Sequence, residues 1–257
     1  MSISRIDSLN PEEGVGLMRW PQAPFGKGLL RRRLRLAAQR FAEHGWAVMP
    51  GGYFNGRRMA CDRTNCFATS SHPLYDDWET RASVRSEQFD QWWSERPHAL
   101  LLPTGYAFDV LEVPALLGSR AVCGPPTGPG RATSAGRVRG PVAVTAAGSW
   151  MFLMRSGGTL APELDHRVDV VRHSIGSWIP APPTVLPDGP IRWKVSPQSI
   201  GWQLPDPDEF QSALVQALVA LDASFLDLPV TARRRLAPKA LPRPAALKPT
   251  PTLRRAV

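Results

Sequence analysis

The first strongly periodic stretch of the chain is LLRRRLRLAAQRFAEHGW. Its Leu30, Leu34, Ala37, Ala38 and Phe41 recur at helical spacing, and Gly45 supplies a stop. WAVMP follows at once, a short apolar run closed by Pro50 and two glycines, the pattern of a buried strand. After a polar connection over 51–80, SVRSEQFDQWWSERP predicts a second helix, with Phe89, Trp92 and Trp93 on one side and Pro97 beyond its end. ALLLPTG and YAFDVLEV are strand material, the latter closed by Pro114. Residues 124–141 hold too much Gly and Pro for a regular element. VAVTAAG and SWMFLMRSGG then resume strand character, and HRVDVVRHSIGSWIPAPPTVLPDGP reads as strand, tight turn, strand and a proline-rich exit. DPDEFQSALVQALVALDASFLDL closes the body as an amphipathic helix carrying Phe210, Leu214, Leu218 and Leu221 on one face.

Helices and strands interleave with no clean linker, which predicts an α+β fold in a single domain over 29–228, after an irregular lead-in at 1–28. Charge changes the picture only at the end of the chain. The formal charge is +9, yet residues 231–257 hold six Arg, two Lys and no acid, leaving 23 bases against 22 acids in residues 1–230. The body is near neutral and the tail is basic. Five prolines in that tail block helix and strand, so 229–257 is expected to be a disordered arm, able to attract phosphate backbones or to act only as a solubilising segment. Arg outnumbers Lys 27 to 4, which reflects a GC-rich coding sequence before it reflects phosphate chemistry. No apolar run is long enough to span a membrane, and the N-terminus lacks a basic-then-apolar signal, so the expected compartment is the cytoplasm.

Two groups of residues carry candidate chemistry. Cys61, Cys66 and His72 lie close together in CDRTNCFATSSHP, and thiolates with an imidazole suit Zn²⁺. A closed structural site takes four ligands; Cys123 and His44 are distant candidates for the fourth, and free thiols in a reducing compartment are the alternative. The second group is acidic. Metal-dependent nucleotidyl transfer needs carboxylates converging on two cations, and D-x-D on a strand achieves this because residues i and i+2 share a face. Here Asp109 is followed by Leu111 at i+2 and by Glu112 at i+3, which points to the other side unless a bulge before Pro114 turns it back. Asp169, in HRVDVVRH, is the third acid, also in an apolar and strand-like context. Solvated or capping strand-end acids are the plain alternative. A G-x-S-x-G elbow, an H-E-x-x-H helix and a P-loop are all absent, which argues against the common hydrolase and NTPase classes.

The order of these pieces, GWAVMP, a Cys/His loop ending in HP, WW…RP, LLLPTG, FDVLEVP and then DVV…GSWIPAPPTVLPDGPIRW, resembles the bifunctional DNA primase/polymerase N-terminal (Prim-Pol) family, a branch of the archaeo-eukaryotic primase superfamily. The resemblance spans roughly 30–205, and its most specific piece is the GSWIPAPPTVLPDG block. It implies a primase-polymerase-like core with an RRM-like mixed sheet flanked by helices. It also implies DNA or nucleotides as partners and Mg²⁺ or Mn²⁺ as cofactor in active members. Carried over by position, Asp109 matches the first aspartate of the family's pair and Asp169 its third acid. Arg155, Arg172 and His173 are candidates to face phosphates. The second aspartate of the pair falls on Leu111, and the family histidine falls near Trp150. The expectation is therefore a divergent member that binds nucleotide or DNA, with nucleotidyl transfer in doubt. An active primase/polymerase using Asp109, Glu112 and Asp169 is the alternative, and a zinc-stabilised protein-interaction module the second.

Overall fold

A computed structural model describes residues 26–63, 66, 68–123 and 139–226. The expected basic arm from 229 onward, and all but the last few residues of the Gly/Pro stretch, lie outside the described residues. Among the described residues, no helix is long and apolar enough to cross a membrane.

The predicted first helix is α1, Lys27–Glu43, ended by His44 and by Gly45 at φ +76°. Its apolar stripe of Leu34, Ala38 and Phe41 is buried. Behind it come β1 (Met49–Gly51), a small hairpin of β2 (Tyr53–Phe54) and β3 (Met59–Ala60), and the short helix α2 (Trp78–Arg81). Helix α3 (Ser86–Trp92) follows. β4 (Ala99–Pro103) is buried over its whole length, and β5 (Asp109–Pro114) runs directly into α4 (Ala115–Cys123). The remainder is β6 (Val142–Val144), β7 (Ser149–Met154), α5 (Pro162–Asp165), β8 (Val171–His173) and β9 (Trp178–Pro180). β10 (Val185–Leu186), β11 (Gly189–Pro190) and β12 (Arg192–Val195) lead to the closing helix α6, Pro207–Leu226.

These elements form an α+β fold. Five strands make the principal sheet in the order β12-β6-β7-β5-β8, and every pairing in it is antiparallel, so the sheet is not mixed in strand direction. A second antiparallel sheet, β1-β4-β9, stands beside it. Strand alternation splits the principal sheet into two apolar faces. Val110, Met151, Leu153 and Ala143 join Leu100 and Leu102 of β4 and the stripe of α1 in one core cluster. Leu111, Val113, Phe152 and Met154 face the other way, onto Leu117 of α4, Leu164 of α5 and Phe210 and Leu214 of α6.

Helix α4 is not legible in the sequence, because nine residues with a central glycine carry a weak helical signal. The glycine is required by packing: a Cβ on Gly118 would stand 2.7 Å from the Trp150 ring system. Trp150, at the position where the resemblance expects a histidine, is thus a spacer between β7 and α4.

Candidate functional site

The central strand of interest is β5, which pairs with β7 on one side and β8 on the other. Asp109 stands opposite Met154, and Glu112 stands between Met151 of β7 and Val171 of β8. The pairing runs without a bulge from Asp109 to Pro114, so alternation holds and Asp109 and Glu112 leave the strand on opposite faces. Their partners confirm this. Asp109 is bound by Arg172 and Ser174, Glu112 by the intervening His173.

Asp109 is 0% exposed, and burying a carboxylate requires that its charge be met. One Nη of Arg172 donates to its Oδ2 at 2.6 Å, Ser174 Oγ donates to Oδ1 at 3.2 Å, and the Gly157 N–H approaches Oδ2 at 3.4 Å. The same guanidinium donates to the carbonyls of Gly158 and Gly157 at 2.8 and 3.0 Å. Asp109 and Arg172 therefore form an ion pair, fully buried at the carboxylate, that fastens the start of β5 to β8 and to the 157–158 turn, while Arg172 Nε is buried without an acceptor among the described residues.

On the other face, Glu112 Oε2 lies 3.0 Å from His173 Nε2, and His173 Nδ1 lies 2.9 Å from Ser177 Oγ. The hydrogen bond to His173 holds the Glu112 carboxyl below its ordinary pKa, burial opposes this, and the Ser149 hydroxyl adds to the lowering. The same-face neighbours of Glu112 are Val110, Pro114, Met151 and Val171, none of them acidic.

Asp169 was expected in a strand-like run and instead occupies the turn before β8. Arg167 holds it bidentately at 2.9 and 2.8 Å, and this lowers its pKa. Arg155 is paired with Asp206 at 2.5 Å. The structure thus joins Arg172 to Asp109 and His173 to Glu112, and leaves Asp109, Glu112 and Asp169 in three separate hydrogen-bonding networks. Among the described residues, these acids form no group able to hold a metal ion together. The donor set for an Mg²⁺ or Mn²⁺ pair does not fit, because such a pair needs carboxylates converging on ions about 3.5 to 4 Å apart. Ser174 and Ser177, which complete both networks, escaped the sequence reading. Their only signal is the HSIGS spacing directly after the strand.

The Cys/His loop behaves differently. Cys61 follows β3 immediately, and His72 is drawn over β1, where Gly52 N–H donates to the His72 carbonyl at 2.9 Å. The approach needs glycine: a Cβ on Gly52 would meet His72 Cε1 at 2.8 Å. Cys66 Sγ lies 3.3 Å from His72 Nε2, and one ligand atom each from Cys61, Cys66 and His72 falls within 4.8 Å of the others. His72 Nδ1 donates to the Ser70 carbonyl at 2.9 Å, which leaves Nε2 as the lone-pair nitrogen, turned towards the thiols. Burial raises the Cys61 thiol, while the hydrogen bond from Cys61 lowers Cys66. This donor set fits Zn²⁺ with three protein ligands. Neither distant candidate joins it: His44 is stacked on Trp202 at 3.7 Å, and Cys123 is exposed at the end of α4.

A family model for the bifunctional DNA primase/polymerase N-terminal domain (Prim-Pol) matches residues 38–209, from the middle of α1 into α6. No curated protein matches the chain closely enough to count as a relative. The matched span contains both sheets, the Cys/His loop and all nine residues singled out from the sequence, and it covers more than half of the 257 residues. The chain belongs to the Prim-Pol family of DNA primase/polymerase domains.

Proposed function

We propose that this domain is a catalytically degenerate primase/polymerase that keeps the family's nucleic-acid or nucleotide binding and has lost nucleotidyl transfer. The observation that carries the reading is the Asp109–Arg172 ion pair: an acid matched to a metal position is instead met by a cation from its own sheet. Glu112, on the other face, is a single carboxylate held by His173, and one carboxylate offsets the dehydration of Mg²⁺ poorly. Asp169 is committed to Arg167. Phosphate affinity comes from arginines outside these networks, with the basic segment 231–257 adding a generic, salt-sensitive contribution.

A structural Zn²⁺ on Cys61, Cys66 and His72 belongs to the same reading, supported by the converging ligand atoms and by the Ser70 carbonyl that fixes the His72 tautomer. Bound there, the ion would tie the β2–β3 hairpin to β1, with its fourth position left to a non-protein ligand such as water.

Primer extension tests the proposal. With a labelled primer–template, deoxynucleotides and either Mg²⁺ or Mn²⁺, the expected result is no added nucleotide from a folded protein that still retards single-stranded DNA. Incorporation above the protein-free background under either metal overturns the loss of catalysis, and absence of DNA and nucleotide binding at low salt overturns the retained binding.

A further inference from the structure

A cavity of about 450 Å³ opens in the N-terminal half, between Tyr75, α2, the 82–85 connection and α3. Its size lies in the range of small-molecule sites. No element of the principal sheet lines it, and no acidic residue does.

Its walls carry a consistent chemistry. Trp92 supplies an aromatic surface, backed by Phe89 at 5.9 Å between ring centroids. Tyr75 supplies a second ring, with the Arg81 guanidinium 4.5 Å above its centre. Arg81 is already paired with Asp77 at 2.7 Å, whereas Arg85, which also lines the cavity, is exposed and makes no ion pair among the described residues. The Gln88 Oε1 is buried and has no donor. The oxygen is closed off behind the cavity wall, and a rotation of the Gln88 amide would present it to an incoming N–H and remove the standing cost of an unpaired buried acceptor. Aromatic surface, an amide acceptor and an unneutralised arginine together call for a flat heteroaromatic ring with N–H groups and an attached anion.

We propose that this cavity binds one nucleoside phosphate, either free or as a unit of a single strand, with the base against Trp92, a base N–H on Gln88 and the phosphate on Arg85. The proposal rests on the nucleic-acid or nucleotide binding argued above and assigns it to a site away from the acidic strand. The position suits that role. Helix α2 separates the cavity from the turn that carries Ser177, with Trp78 packed edge-on to Trp178 at 5.3 Å and Glu79 beside Gly176. A strand seated on α3 therefore lies one short helix from the Glu112–His173 face.

The test uses the full chain at moderate salt, where the basic arm is largely screened. Fluorescence anisotropy of a labelled oligothymidylate of about 15 nucleotides reports strand binding, and competition by thymidine monophosphate reports the free nucleotide. Arg85 is exposed, so Arg85→Glu keeps the fold; it is expected to weaken binding about tenfold, and Gln88→Leu about threefold. Arg57→Glu, the same charge change at an exposed site that does not line the cavity, is expected to cost less than about twofold. Competition by the monophosphate assigns the site to free nucleotide, and binding of the strand without competition assigns it to a strand unit; both support the proposal. Equal losses for Arg85→Glu and Arg57→Glu, or no loss in either, overturn it while leaving nucleic-acid binding intact. A wild-type chain that binds neither probe overturns both.

Discussion

The acidic strand and the Cys/His loop hold chemically suggestive residues at comparable sequence spacing, and the fold treats them in opposite ways. Asp109 and Glu112 are three apart on a regular strand, and the two-residue alternation sends them to opposite faces. Each then finds a cation-capable partner on the neighbouring strand, and those partners, Arg172 and His173, are themselves consecutive. Cys61, Cys66 and His72 lie in irregular backbone with no periodicity to keep them apart, and their ligand atoms meet. Cys66 is hydrogen-bonded to His72, itself one of the three candidate ligands, and not to an ion-pairing arginine. In the sheet each carboxylate is met by a neighbouring side chain; in the loop two thiols and an imidazole converge and are left for a ligand. Proximity in sequence is therefore a poor guide to a shared site on a strand and a better one in a glycine-flanked loop.

The largest expected effect comes from breaking the buried pair. Asp109→Ala leaves Arg172 without its counter-charge in a half-buried position and should destabilise the chain by about 3–5 kcal/mol in urea unfolding. The double substitution Asp109→Leu with Arg172→Leu should recover most of that loss, since it removes both charges together. Were Asp109 instead held near other carboxylates for a cation, its removal would relieve repulsion and stabilise the metal-free protein.

The loop side of the comparison sharpens with metal analysis. Purified protein should carry close to one zinc per chain, and Cys66→Ser should abolish it. Zinc at a hundredfold above its Kd stabilises the folded state by about 2.7 kcal/mol, so a chelator should lower the unfolding midpoint of the wild type and leave that of Cys66→Ser unchanged. A chelator effect of equal size in both would place the metal elsewhere.

The smallest effect is the pH response of Glu112. Its folded-state pKa lies below the ordinary 4.5, so its contribution to stability is complete above that value and is lost as pH falls through the depressed one. Glu112→Gln should cost about 1 kcal/mol at neutral pH and should remove part of the acid-induced loss of stability that the wild type shows below about pH 4.5. An unchanged acid limb in Glu112→Gln would show that the His173 contact contributes nothing.

Much of the fold was readable from the residues. The stripes of α1 and α6, the all-apolar β4 and the strand–turn–strand over 171–180 follow from periodicity and from glycine and proline punctuation, because these elements bury one continuous face. The short helices α2, α4 and α5 did not follow, since elements of four to nine residues draw their stability from packing rather than from local propensity. The family was legible too, from the GSWIPAPPTVLPDG block and the order of the segments around it. What the sequence determined by itself was the alternation on β5: with Leu111 at i+2, no second carboxylate accompanies Asp109 on its face. What only the tertiary structure decided was the partner of each charged group. Arg172, His173, Ser174 and Ser177 are about 60 residues from the acids they complete, and local physics cannot reach that far; it took the pairing of β8 with β5 to convert a candidate catalytic strand into two separate hydrogen-bonded networks.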